Sequence, residues 1–209
     1  MEEKIVELYS YWGVPLKNKF VDQNSDVLAV IIPGIEYTLD RSVMDYSREL
    51  VIEKGYDVLG IEFGFQVLRK SLDVKTEFNI MAKESGEVLN EVLNKKYKRI
   101  IFIGKSVGTE VQNILGDNIK SIEIVHIYLT PVDRTVEQGI KHNSLVITGS
   151  KDHLITRENV NKIRRDETVT LVEIEGADHS LNHSEGVMKS IETLQTTIKS
   201  ELDFLDSLY

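Results

Sequence analysis

Six short apolar runs punctuate this chain, at residues 27–32, 57–63, 99–103, 122–129, 144–148 and 168–174, and segments with helical spacing separate them. The runs are rich in Val and Ile. Continuous apolar runs of that length fit strands covered on both faces, as in a parallel sheet. In the last run Val169, Leu171 and Glu173 alternate with Thr170, Val172 and Ile174, which places it toward an edge. Met44, Leu50, Val51 and Ile52 predict a helix over 40–54, stopped by Gly55. Apolar spacing predicts further helices over 74–95, 155–165 and 184–205, the last marked by Val187, Ile191, Leu194, Ile198, Leu202 and Leu205. Strand and helix alternate to the C-terminus, so the expected fold is α/β: a mostly parallel sheet of about six to seven strands with helices on both faces. Residues 1–25 fit an added edge strand or hairpin, around 7–11 and 14–20. With 209 residues and no repeat or linker, the chain reads as one domain over 1–209.

Composition narrows the function. Apolar residues make up 41% and charged residues 28%, which excludes disorder as the main state. The net charge of −9 argues against binding to nucleic acid or to an anionic membrane. Cysteine is absent, which removes disulfide scaffolds, thiolate metal sites and cysteine nucleophiles together. The start, Met1-Glu2-Glu3-Lys4, has no apolar leader, and no run approaches the roughly 20 residues that span a bilayer. The expectation is a cytoplasmic protein acting on a small molecule. No ligand cluster suggests a metal, and none suggests a cofactor.

In an open α/β sheet, sites form beyond the carboxyl ends of the strands. The third run is followed there by Gly104-Lys105-Ser106-Val107-Gly108, a G-x-S-x-G pattern on a strand-to-helix turn. A serine on such a turn projects its hydroxyl above the sheet, and small residues two positions either side avoid collision. A bland alternative makes the glycines a tight turn and Ser106 a helix cap. Among five histidines, His126 lies inside an apolar run and reads as a hydrogen-bonded core residue. His142 falls on the opposite edge of the sheet, and His153 neighbours an acid candidate. His183 reads as opening the last helix. His179 lies between the last strand and that helix and is placed to reach Ser106. Asp152 and Asp133 each follow a strand on the correct edge, and Asp178 adjoins His179, so its side chain should point elsewhere.

These pieces resemble the α/β-hydrolase family, in particular its small lid-less members of the dienelactone-hydrolase and carboxylesterase kind. The resemblance runs from about Val27 to the C-terminus. It rests on Gly104 to Gly108, Gly149-Ser150-Lys151-Asp152 and Gly176-Ala177-Asp178-His179-Ser180, in the family's order of nucleophile, acid and histidine. It implies Ser106 as nucleophile, His179 as base, Asp152 as acid, and backbone N–H donors from Val107 and Ile35 for an oxyanion. The Ile35 donor lies in Pro33-Gly34-Ile35-Glu36-Tyr37, where many members carry His-Gly instead of Pro33-Gly34. The donor is a backbone group, so that departure leaves it available. Tyr37 is a candidate substrate contact through its hydroxyl, or else a packing aromatic.

The implied reaction is ester or thioester cleavage through an acyl-enzyme. Alternatives on the same fold are a non-catalytic small-molecule-binding protein and a triad-dependent lyase or transferase. The 130–143 connection is too short for a lid domain, so the cleft should be open. Lys105, Arg69 and Arg157 are possible carboxylate binders, though solvation is the expected fate of each.

Overall fold

The computed structural model describes residues 1–94 and 97–209. It contains eight strands in one sheet: β1 (Glu2–Tyr9), β2 (Pro15–Asp22), β3 (Val27–Ile32), β4 (Asp57–Gly60), β5 (Arg99–Lys105), β6 (Glu123–Leu129), β7 (Ser144–Gly149) and β8 (Val169–Ile174). The helices are α1 (Ser42–Glu53), α2 (Gly64–Val67), α3 (Val74–Val92), α4 (Val107–Asn118), α5 (Asp133–Gln138), α6 (Arg157–Arg164) and α7 (Val187–Asp206). The expected end of the third helix at Lys95 lies outside the described residues.

The sheet order is β1-β2-β4-β3-β5-β6-β7-β8. β3 through β8 are mutually parallel, and all six residues of β3 are buried, as its uninterrupted apolar run demands. β8 is the edge strand, and its residues are mostly half-buried. The sheet exceeds the expected six to seven strands because residues 1–25 form a full hairpin. β1 pairs antiparallel with β2 from Glu2↔Asp22 to Tyr9↔Pro15, and β2 pairs antiparallel with β4.

Side chains alternate across the sheet and split the core in two. Ile100 and Phe102 of β5 pack with Phe78, Met81 and Val111 of α3 and α4. Ile101 and Ile103 pack on the other face with Met44 and Val51 of α1 and Leu205 of α7. A smaller cluster, Tyr128, Val146, Val160 and Ile163, continues the first face under α6. α1 ends as expected at Gly55, whose φ is +75°: Gly55 N–H donates to Ile52 O and Tyr56 N–H to Val51 O, closing the helix's last carbonyls.

The chain leaves β3 toward β4 and returns to β5 on the other side of β3. The loops that follow β3 and β5 therefore meet at the carboxyl edge where the strand order reverses, the place at which sites form in open α/β sheets.

Candidate active site

β5 ends at Lys105, and α4 begins at Val107. Ser106 between them holds φ +53° and ψ −121°, a left-handed conformation that a serine adopts only under constraint from its surroundings. The flanking glycines supply the room. A Cβ at Gly108 would stand 2.5 Å from the Pro33 carbonyl oxygen, and one at Gly104 would stand 2.7 Å from that of Gly108. The start of α4 thus lies directly against the end of β3.

Three loops meet over Ser106. His179 Nε2 is 2.9 Å from Ser106 Oγ, and His179 Nδ1 is 2.8 Å from Asp152 Oδ2. A carboxylate only accepts, so in the neutral ring Nδ1 carries the hydrogen and Nε2 is left to accept from the serine hydroxyl. The Asp152 side chain is fully buried, and its second oxygen accepts from Leu154 N–H at 2.9 Å. The third loop, 33–37, folds over the serine: a Cβ at Gly34 would lie 3.2 Å from that of Ser106.

Val107 is the first residue of α4, and the first N–H groups of a helix have no acceptor within it. Ile35 is oriented by a residue that sequence reasoning missed. Gln66 Nε2, in α2, donates to the carbonyls of Gly34 at 2.6 Å and Ile35 at 2.9 Å. In a trans peptide the N–H points opposite to the C=O, so the Gly34 contact turns the Ile35 N–H away from Gln66. The only sequence signal was position, on the loop after the second apolar run.

Lys105 departs from expectation. Its side chain is not solvated but 1% exposed, because β5 continues in register with β6 past the apolar run, through Gly104↔Tyr128 and Lys105↔Leu129. Its Nζ donates to Thr130 Oγ1 at 2.6 Å and to the His179 carbonyl at 2.7 Å, and it lies 4.7 Å from the centre of the Tyr37 ring. Burial drives its pKa down to about 7, against the upward pull of Asp152 and Asp178. Tyr37 gives its ring face to Lys105, and its hydroxyl is 3.4 Å from the Val43 N–H.

The remaining candidates fall elsewhere. Asp133 accepts from Thr156 N–H, Thr156 Oγ1 and Asn159 Nδ2, tying α5 to the start of α6 rather than capping its own helix. Asp178 accepts from Ser180 and Asn182 N–H within its own turn. His126 is a core residue, but stacking holds it: its ring lies 5.6 Å from Phe102 and 5.5 Å from Tyr128, and its Nδ1 has no hydrogen-bond partner among the described residues. Burial lowers its pKa to about 4, so it is neutral. His142 meets Thr168 Oγ1 at the far edge, and His153 is exposed. His183 bridges to Ala177 ahead of α7, which begins only at Val187. Arg69 is exposed, and Arg157 pairs with Glu173 on the surface.

The chain belongs to the α/β-hydrolase family: the family described as an alpha/beta hydrolase domain matches residues 34–206. No curated protein matches it by sequence. Its fold is similar to that of several solved structures. One is a Pyrococcus furiosus esterase, at 20% identity and a TM-score of 0.70, covering 99% of this chain and 92% of that one. Another is a Xanthomonas campestris protein described as a serine hydrolase without a lid, at 16% identity and a TM-score of 0.64, with 95% and 94% covered. A protein of unknown function from Agrobacterium tumefaciens, at 17% identity and a TM-score of 0.74, covers 98% and 97%. In keeping with such lid-less folds, the 130–143 connection holds only the short helix α5. Among the described residues no helix is long and apolar enough to cross a membrane.

Proposed function

We propose that the protein is a serine hydrolase that cleaves a small ester or thioester through an acyl-enzyme. The observation that carries this reading is the unbroken hydrogen-bond chain from Asp152 through His179 to Ser106, ending on a serine held at positive φ. Ser106 Oγ attacks the substrate carbonyl carbon as its proton passes to His179 Nε2. The tetrahedral intermediate collapses, the bond to the leaving group breaks, and that proton goes to the leaving group. Water then attacks the acyl-enzyme, gives a proton to Nε2, and the acid departs as Ser106 regains its hydrogen. Asp152 holds the ring in the tautomer that leaves Nε2 free and stabilises the imidazolium that forms.

The N–H groups of Val107 and Ile35 are the donors for the developing oxyanion, and one such donor is worth about 3 kcal/mol in the transition state. Tyr37 is the substrate contact beside Ser106; with Ser180 and Leu181 it also borders an open cavity of about 480 Å³ that extends along the starts of α1 and α7 and is not lined by Ser106 or His179. With a net charge of −9, nucleic acid is not the substrate. No cofactor or metal enters any step.

The test is incubation with a fluorophosphonate probe, mass mapping of the adduct, and turnover of p-nitrophenyl acetate. Adduct on Ser106 with measurable turnover is expected. A folded protein that is neither labelled nor active would overturn the reading.

A further inference from the structure

The buried Lys105 has no part in the reaction just described, yet it touches the loops that carry His179 and Tyr37. It closes β5 on the face that carries Ile101 and Ile103, so its stem enters the core and its ammonium emerges beneath the site. An ammonium has three hydrogens to place. One goes to Thr130 Oγ1 on the loop after β6, and one to the backbone carbonyl of His179 on the loop after β8. The third faces the Tyr37 ring on the loop after β3, a geometry that attracts a cation. Thr130 is itself constrained, with φ +45° and its N–H donating to Ile147 O at 2.7 Å, so its hydroxyl is a fixed acceptor.

We propose that Lys105 is a positioning residue of the hydrolytic site, a buried cation that locks the loops bearing His179 and Tyr37 to the Ser106 turn and whose loss of a proton lowers activity. This rests on the serine-hydrolase reading. Asp152 fixes only the imidazole ring, whereas Lys105 fixes the backbone from which that ring hangs, and a displacement of about 1 Å at such a site costs up to about 10²-fold in rate. The charged groups facing Lys105 are Asp152 beyond β7 and Asp178 beside His179; both favour the ammonium, while burial opposes it and wins. Among the described residues no carboxylate forms an ion pair with it, so the ammonium is balanced only from a distance. The neutral amine keeps two hydrogens but loses the third, and with it the charge that attracts the Tyr37 ring.

The test is the pH profile of kcat/KM with a neutral short-chain ester, for the wild type, Lys105→Met and Thr130→Val, beside fluorophosphonate labelling of each. The wild type is expected to show a falling limb near neutral to mildly alkaline pH. Lys105→Met should lose the falling limb and drop about tenfold or more in kcat with little change in KM. Thr130→Val removes an acceptor of the ammonium and should move the falling limb to lower pH; it decides the matter if Lys105→Met does not fold. A wild type without a falling limb overturns the proposal, as does a Lys105→Met enzyme with wild-type kcat and profile, or a limb unmoved in Thr130→Val. In each of those cases labelled Ser106 leaves the hydrolase reading standing; an unlabelled, inactive wild type overturns that reading instead.

Discussion

Two ionisable side chains are buried on the same side of the sheet, Lys105 at its carboxyl edge and Glu201 in the helical layer above it, and their surroundings differ sharply. Lys105 finds acceptors on two loops and an aromatic face on a third. Glu201, in α7, meets one group: Ser47 Oγ of α1, at 2.9 Å from Oε1, while its Oε2 has no partner among the described residues. Ser47 Oγ also lies 2.8 Å from the Val43 carbonyl. A hydroxyl has one hydrogen, so a protonated Glu201 donating to Ser47 satisfies both contacts together. Burial accordingly raises its pKa to about 8. Burial perturbs both residues, then, but only at the strand ends do several loops converge on the perturbed group. Perturbation by itself marks the α1–α7 interface as readily as a site.

If that contrast is right, changes at the strand-end cluster should strike turnover and changes in the helical layer should strike stability. The largest effect is expected at Ser106→Ala and His179→Ala, each losing at least about 10⁴-fold in kcat, with the double variant little worse than either. Stopped assays on folded variants check this; His153→Ala and His183→Ala should keep most of the activity, and equal damage from His183→Ala would move the base. Asp152→Asn comes next, with a loss of at least about 10²-fold, because the amide favours the wrong imidazole tautomer.

Asp133→Asn sharpens the contrast from within the strand-end loops. The carboxylate serves α6 and not the imidazole, so a loss of under about threefold in kcat and about 1 kcal/mol in stability is expected. Burial raises the Asp133 pKa, but the hydrogen bonds from Thr156 and Asn159 outweigh it and hold the carboxyl below its ordinary 3.8. Its contribution is therefore present above that pH and fades as pH falls below it. Denaturant titration of both variants, with kcat measured alongside, decides between the two acids; the reverse ranking in kcat would give the role to Asp133.

Glu201→Gln should act on stability alone. The folded carboxyl keeps its proton up to about pH 8, whereas the unfolded one releases it near 4.5, so unfolding between those values releases a proton and stability declines as pH rises through that window. The glutamine variant should be more stable at neutral pH, by up to about 3 kcal/mol, with a flatter dependence, and unchanged in kcat. Thermal melts across that range test it, and a loss of activity with the fold intact would erase the distinction between the two regions. The smallest effect concerns the open cleft. With only α5 between β6 and β7, the rate should pass smoothly through a substrate's micelle concentration; a steep rise there would reveal a covering element.

Much of this was legible before the structure. The first five apolar runs became β3 to β7 because strands covered on both faces must be largely apolar, and such a run has few other places to go; the sixth became the half-buried edge strand β8, as its alternation indicated. The two elbow glycines were legible for an equally local reason, since a Cβ at either would strike backbone. The N-terminal hairpin was read short. β1 is mostly exposed, so its sequence carries little apolar signal, and its extent is set by eight register pairs with β2.

The residues that sequence misjudged are those whose environment is assembled from afar. Lys105 ends an apolar strand and looked solvated, yet Thr130, His179 and Tyr37 close over it from loops up to 74 positions away. Gln66 carried no signal until α2 placed its amide against two carbonyls of the loop after β3. His126 was placed in the core correctly, but its stacking between Phe102 and Tyr128 depends on strand register.

Sequence alone determined the period of the strands and the turn chemistry at Ser106, because each depends on residues within a few positions of one another, and it carried the chain order of serine, aspartate and histidine because each follows its own strand directly. Tertiary structure decided which aspartate meets the imidazole, which carbonyls Gln66 orients, and where a buried lysine and a buried glutamate find partners. Those are distances between loops, and only the parallel sheet, by bringing its carboxyl ends to one edge, sets them.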